Sequence, residues 1–383
     1  MTLLLDAIFF AVSSGHLAVD FLSGQRYVLL TYMTSELGMP NVTLGFLSMT
    51  YNLSAALIQP FFGYITDRVG PRWLITSGVL WMGIFYSLGT LTPGKAGVIL
   101  FLLASIGSGA FHPAATMLST ERGRSLYAGR ETTAAAYFFL FGQAGAFMGP
   151  LLGGLMLDHA GPASLALMAT LALPVGLNAS FRLRVPVLVD KTEEVISSSS
   201  KRLSQGTFVI TCFAILAAFQ SWSQQNMVTF LPKYLSELGQ TPGIYGIATA
   251  LFTGGYALGN FLGGYLADRF GKRLVVSVMF TLASLSVLLL PLTGISTWLY
   301  ILIPVAGALI GANFSIIVVL AQGIIPGGRA MASGLILGFL FSSGALGGWL
   351  SGYLADLWGF TLVFQLTAAL LIIASILTLT LQK

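Results

Sequence analysis

Four ionisable side chains stand in stretches that are otherwise apolar. His16 and Asp20 are four residues apart, so a helix puts both on one face. Arg26 follows in the same stretch, and His112 lies in Phe111-His112-Pro113 of another. Ionisable groups are expensive in hydrocarbon and mark function by default. A carboxylate beside an imidazole can take up and release a proton over the range that a proton gradient spans. Asp20 is therefore the candidate proton acceptor, with His16 and His112 as modulators or substrate contacts. The other reading is a static buried network of Asp20 with His16 or Arg26. Ser13, Ser23, Gly24 and Tyr27 fall on roughly the same face, which gives the first helix a polar stripe. Arg26 is about 120° off that stripe, where it would pair with a neighbouring helix or snorkel outward.

Other chemistries find no residues to carry them. The one cysteine, Cys212, sits in an apolar run, so neither a disulfide nor a thiolate metal site is available within one chain. The three histidines, at 16, 112 and 159, are far apart in sequence. No His-Glu-x2-His, no Gly-x-Ser-x-Gly elbow and no phosphate-binding Gly-x4-Gly-Lys-Ser/Thr occurs. The expectation is no metal, no cofactor, no enzyme and no ATP-driven pump.

The elements that position these groups follow from composition. Of 383 residues, 56% are apolar and 8% charged, with mean hydropathy +0.86. Soluble chains carry about 25% charged residues, so a soluble enzyme, a nucleic-acid binder and a disordered chain are excluded. A bilayer span needs about 20 apolar residues. Such windows fall at 4–33, 42–65, 73–92, 96–119, 132–157, 162–182, 207–231, 243–266, 274–292, 296–321, 331–355 and 358–381. Twelve short-looped spans leave no room for a soluble domain, and the fold class is all-α and integral to the membrane. The first window is too long for a signal peptide and lacks a cleavage site. The chain divides into a six-helix bundle over 1–184, a cytoplasmic linker loop over 185–206 and a second bundle over 207–383.

With the N-terminus inside, the cytoplasmic loops and C-terminus hold 15 of the 18 basic residues, while the outside loops hold Lys95 and Lys233. That bias supports an even span count and both termini in the cytoplasm. The +5 charge is a topology signal. His16 and His112 lie about two and about four residues to the cytoplasmic side of their span centres, so at ~1.5 Å per residue they share a depth.

The chain also repeats. Shifted by 201 residues, positions 35–72 match themselves at 13 of 38 places without a gap. Gly63-Tyr64-x2-Asp67-Arg68-x-Gly70-x-Arg72 meets Gly264-Tyr265-x2-Asp268-Arg269-x-Gly271-x-Arg273. A shorter Gly-x3-Asp-x2-Gly pattern closes spans 2, 5, 8 and 11, with Asp67, Asp158, Asp268 and Asp356 at its centre. Copies on opposite faces three helices apart are what inverted three-helix repeats produce.

The loop at Gly63–Arg72 and its copy resemble the loop motif of the major facilitator superfamily, and the resemblance covers the whole chain. It implies two pseudo-symmetric six-helix bundles, helices 1, 4, 7 and 10 around a central cavity, alternating access and a functional monomer. Asp67, Arg68, Asp268 and Arg269 would then latch one global state; otherwise the loop is a topogenic, solvated turn. Gly145-x3-Gly149-Pro150-x2-Gly153-Gly154 resembles the antiporter motif of the same superfamily, or else is an ordinary packing seam. His16, Asp20 and Phe111-His112-Pro113 resemble its fosmidomycin-resistance branch, with Ala114 where an acidic residue would be expected. In the second half Gln220, Gln224, Gln225, Tyr256, Asn260 and Asn313 suit either substrate contact or helix–helix hydrogen bonds, and buried charge is expected to be absent. The implied function is proton-coupled export of a small neutral or anionic organic compound or drug across the cell membrane. Its partners are substrate, protons and membrane lipids. The alternatives are uptake or facilitated diffusion of a sugar or organic anion, and lipid or lysolipid transport.

Overall fold

The computed structural model describes residues 2–126, 131–184, 207–324 and 329–380, and these are helical with no strand. The linker over 185–206 lies outside them, as do Arg130, Lys191, Lys201, Arg202 and Lys383. Helices are what lipid demands, because each backbone N–H and C=O must find its partner within the segment.

The first half runs α1 (Ala7–Glu36), α2 (Asn41–Val69), α3 (Pro71–Leu91), α4 (Gly94–Leu126), α5 (Glu131–Ala160), α6 (Pro162–Ala169) and α7 (Ala172–Arg182), the last two forming one span. The second half runs α8 (Thr207–Glu237), α9 (Pro242–Phe270), α10 (Lys272–Leu289), α11 (Thr297–Gly311), α12 (Phe314–Ile324) and α13 (Arg329–Thr378). Nine helices among the described residues meet a length-and-hydropathy test for a span. Two more, α2 and α9, are 29 residues each but more polar, and α13 holds two arms that break at Gly359. Several helices outrun their apolar windows: α2 reaches Val69 and α9 reaches Phe270, carrying the repeated motif on helix rather than loop.

The glycine that closes each Gly-x3-Asp-x2-Gly copy has positive φ: Gly70 at 85°, Gly161 at 67°, Gly271 at 91° and Gly359 at 76°. A side chain there would be strained, so glycine ends one helix and starts the next in a single residue.

Two compact units result. One comprises Met1–Gly38, Thr50–Thr192 and Gly239–Ala250; the other comprises Met39–Met49, Glu193–Leu238 and Leu251–Lys383. In the first, α1 packs most extensively on α5 and α3 on α4; in the second, α8 packs most extensively on α13. The α1–α5 seam is made of glycine. A methyl group on Gly145 would collide with the Leu17 carbonyl, and one on Gly149 with the Phe21 carbonyl. A methyl on Gly153 would stand 2.7 Å from Gln25 Cγ. In the second unit Gly344, Gly347 and Gly348 play this part against Ser221, Trp222 and Gln225. Within each unit the arginine that opens a helix after the repeated motif reaches a carbonyl near the end of the last helix. Arg72 Nε donates to Ser180 O at 3.1 Å, and Arg273 Nη2 donates to Leu379 O.

Candidate functional site

His16, Asp20 and His112 come together. His16 Nε2 is 3.1 Å from Asp20 Oδ2, and His112 Nε2 is 3.3 Å from Asp20 Oδ1. The imidazole centroids are 5.2 Å apart with perpendicular planes. The other ring nitrogens are fixed by backbone: Nδ1 of His16 donates to Phe138 O at 2.8 Å, and Nδ1 of His112 donates to Ser108 O at 2.8 Å. A carbonyl only accepts, so each Nδ1 carries its hydrogen. A neutral ring would then present a bare Nε2 lone pair to a carboxylate oxygen, which repels it. Both Nε2 atoms thus stand within hydrogen-bond reach of one carboxylate, and Ser108 Oγ also lies 3.2 Å from His112 Nδ1.

His16 and His112 are distant in sequence but not in space, and with Asp20 they form a donor cluster that no metal-binding motif in the sequence announced. The three donor atoms lie within 4.8 Å of one another, close enough for one transition-metal ion to compete with protons. Gly142 of α5 makes the room: a methyl there would stand 2.5 Å from His16 Nε2 and 2.8 Å from Asp20 Oδ2. The sequence offered no sign of Gly142, one glycine among 45. His16 also stacks on Phe138 at 4.0 Å.

Arg26 meets a neighbouring helix, as its angle on α1 suggested, through a ring rather than a carboxylate: its guanidinium carbon lies 4.4 Å from the Tyr27 ring and 4.9 Å from the ring of Tyr51 on α2. Beside it, the buried Gln25 accepts from Tyr86 Oη at 2.5 Å.

In the second unit Tyr256 Oη donates to Gln224 Oε1 at 3.1 Å and accepts from Gln220 Nε2 at 3.4 Å. Gln225 Nε2 donates to Thr229 Oγ1 at 2.7 Å, Asn260 Oδ1 accepts from the Ser315 N–H at 3.1 Å, and Asn313 Nδ2 donates to Leu309 O at 3.2 Å. The 201-residue shift places Ser221 at the position of Asp20 and Asn313 at that of His112, so the equivalent positions are neutral. One buried charge does occur here, against expectation: Lys233, 7% exposed, is 3.8 Å from Glu237. The long side chain of Lys233 is covered because α8 continues past the apolar window to Glu237.

The four repeated aspartates divide in two. Asp67 and Asp268 are exposed and, among the described residues, lie in no ion pair within 4 Å. Asp356 instead accepts from the backbone N–H of Asn41 at 2.7 Å and of Val42 at 2.8 Å, at the start of α2. Asp158 accepts from Thr241 Oγ1 at 2.7 Å, just before α9. Arg68 and Arg269 lie over Tyr64 and Phe270. Of the antiporter-motif residues, Gly145, Gly149 and Gly153 line the α1 seam, the Pro150 ring faces Gly24, and Gly154 faces Gly246 of α9.

The long apolar helices among the described residues, the internal repeat and the cluster of Asp20 with two histidines inside one bundle describe a polytopic membrane protein. The sequence model of the Major Facilitator Superfamily matches residues 17–239 and 210–383, and the chain belongs to that family. It is 26% identical over 372 residues to the fosmidomycin resistance protein of Escherichia coli K12, covering 94% of this chain and 89% of that one. It is also 26% identical over 305 residues to the multidrug resistance protein MdtG of Escherichia fergusonii, covering 72% and 70%. Among solved structures, a bacterial homologue of the human lysosomal transporter Spinster, inward-facing and occupied, superposes with TM-score 0.84 at 15% identity over 97% of this chain and 96% of that one. The chain is therefore a membrane transporter, and the families and structures it matches are transporters rather than enzymes.

Proposed function

We propose that this transporter exports a small neutral or anionic organic compound or drug in exchange for protons by alternating access, with Asp20 as the exchanging group and His16 and His112 as its partners. The observation that carries the reading is the pinning of both Nδ1 atoms on backbone carbonyls, which leaves both Nε2 atoms facing one carboxylate. In this arrangement proton loss sets lone pairs against a carboxylate, so proton loss and rearrangement of α1 against α4 are coupled. The similarity to resistance proteins favours outward movement of an organic compound. The basic residues favour a cell-membrane protein with both termini in the cytoplasm, and the family resemblance favours a monomer. The inner-end residues Gly63, Asp67, Arg68, Gly70 and Arg72, with their copies Gly264, Asp268, Arg269, Gly271 and Arg273, act as the cytoplasmic latch. Gln220, Gln224, Gln225, Tyr256, Asn260, Asn313 and Tyr27 contact substrate.

The test is Asp20→Asn in proteoliposomes with and without an imposed pH gradient. Gradient-driven transport should vanish while counterflow, which needs no net proton movement, persists. Uphill transport retained by the variant would remove Asp20 from the mechanism.

A further inference from the structure

The cluster of His16, Asp20 and His112 is also a ligand set. Each imidazole places its Nδ1 hydrogen on a backbone carbonyl, His16 on Phe138 O and His112 on Ser108 O, both at 2.8 Å. A metal-binding histidine is oriented in this way, because the fixed Nδ1–H turns the Nε2 lone pair toward the ion and makes it more basic. Both Nε2 atoms converge on the Asp20 carboxylate, at 3.1 Å from Oδ2 and 3.3 Å from Oδ1. Tetrahedral bonds of ~2.0–2.1 Å to nitrogen and oxygen put neighbouring ligand atoms about 3.3 Å apart, so both spacings fit one coordination shell. The three donor atoms together lie within 4.8 Å of one another. Helix α1 supplies two ligands one turn apart and α4 supplies the third. His16 is 2% exposed and held by its stack on Phe138, whereas Asp20 and His112 are half-buried and give an ion its way in.

We infer that His16, Asp20 and His112 bind a divalent transition-metal ion of the Zn²⁺ type, with three protein ligands and a fourth position open. The donors select the ion: two imidazoles and one carboxylate suit Zn²⁺, whereas Mg²⁺ and Ca²⁺ take shells of oxygen. The bound ion takes both Nε2 lone pairs and a carboxylate oxygen, and so joins α1 to α4. It thereby occupies every group that the export reading assigns to proton exchange. A block of gradient-driven transport by the ion rests on that reading; the binding itself does not.

The experiment uses the full chain in phosphatidylcholine nanodiscs, stripped of metal by a chelator and freed of any histidine tag. Calorimetry should show saturable binding of Zn²⁺ at one ion per chain and no saturable binding of Mg²⁺ in the same range. Co²⁺ in its place should give the visible absorption of a low-coordinate site with nitrogen ligands. Loss of even an outer-shell partner lowers metal affinity about 10–100-fold, so His112→Gln and Asp20→Asn should each weaken Zn²⁺ binding about a hundredfold or more. His159→Gln, which removes the exposed histidine near the end of α5, should bind as wild type does. Thermal unfolding without metal shows that each variant is folded. In the proteoliposome assay that tests Asp20, saturating Zn²⁺ should stop gradient-driven transport by wild type, and chelator should restore it. No saturable Zn²⁺ binding by wild type, equal binding of Mg²⁺ and Zn²⁺, equal binding by wild type and His112→Gln, or loss of binding in His159→Gln overturns the site and leaves the export reading standing. Binding of one ion with gradient-driven transport intact overturns the block, and with it the proton role of the cluster.

Discussion

Gly142 matters to the candidate site for the side chain it lacks. A methyl group there would press on His16 and Asp20 at once, and a buried imidazole held at both nitrogens has nowhere to retreat. Gly142→Ala should cost about 1–3 kcal/mol in stability, the usual range for overpacking, and should reduce pH-gradient-driven transport more than counterflow. Thermal unfolding and liposome flux measure the two effects. Full gradient-driven transport would show that the tight geometry is dispensable. His16, Asp20 and His112 were legible in the sequence because ionisable residues are rare in apolar runs. Gly142 and the carbonyls of Phe138 and Ser108 were not, because a small residue and a backbone atom leave no mark that spacing can show. For Arg26 the helical angle pointed to a neighbouring helix, but not to the Tyr51 ring as its partner there, because an angle predicts where a Cβ points and not where a long side chain ends.

At the scale of the element, the glycines at 145, 149 and 153 recur every fourth residue, and that period already implied a packing stripe. Only the fold shows that α1 fills it and that the stripe runs on to Gly142 under the proton cluster. Gly149→Val should therefore force α1 from α5, lower the unfolding temperature and impair transport without touching an ionisable group. Normal stability and flux would mean that the seam has slack. The ends of helices repay the same reading. Asp356 holds two of the first free N–H groups of α2, where a carboxylate is favoured by both hydrogen bonding and the helix dipole. Asp356→Ala should cost about 0.5–2 kcal/mol and raise labelling of a cysteine placed at Val42. Unchanged labelling would indicate that α2 starts equally well without its cap. Apolar windows marked α2 and α9 as spans although both are more polar than the rest, and their shared motif showed that the two correspond.

Across the whole molecule the two halves share an architecture and divide the chemistry. The repeat preserves Asp67 and Asp268, yet Ser221 and Asn313 stand where the first half has Asp20 and His112. On the proposed mechanism proton exchange belongs to one bundle, and the amide and tyrosine groups of the other are free to select the cargo. Gln224→Ala, which removes the acceptor of Tyr256, should raise KM several-fold while leaving the ratio of transport with and without a pH gradient unchanged. A changed ratio would place proton coupling in both halves.

The paired contacts of Arg72 with Ser180 and Arg273 with Leu379 bear on how such a chain is made. They join residues 108 and 106 positions apart, and at ribosomal speed the second partner emerges roughly 5–20 s after the first. Through that interval each arginine waits at a helix start without its carbonyl. The last helix to leave the translocon is thus the one that closes its bundle, and each half carries its own signal of completion. A chain cut just before Leu379 should insert all of its spans and yet leave Arg273 unclasped. Its second half would then be the part that membrane proteases remove, while the first half, already fastened at Ser180, survives.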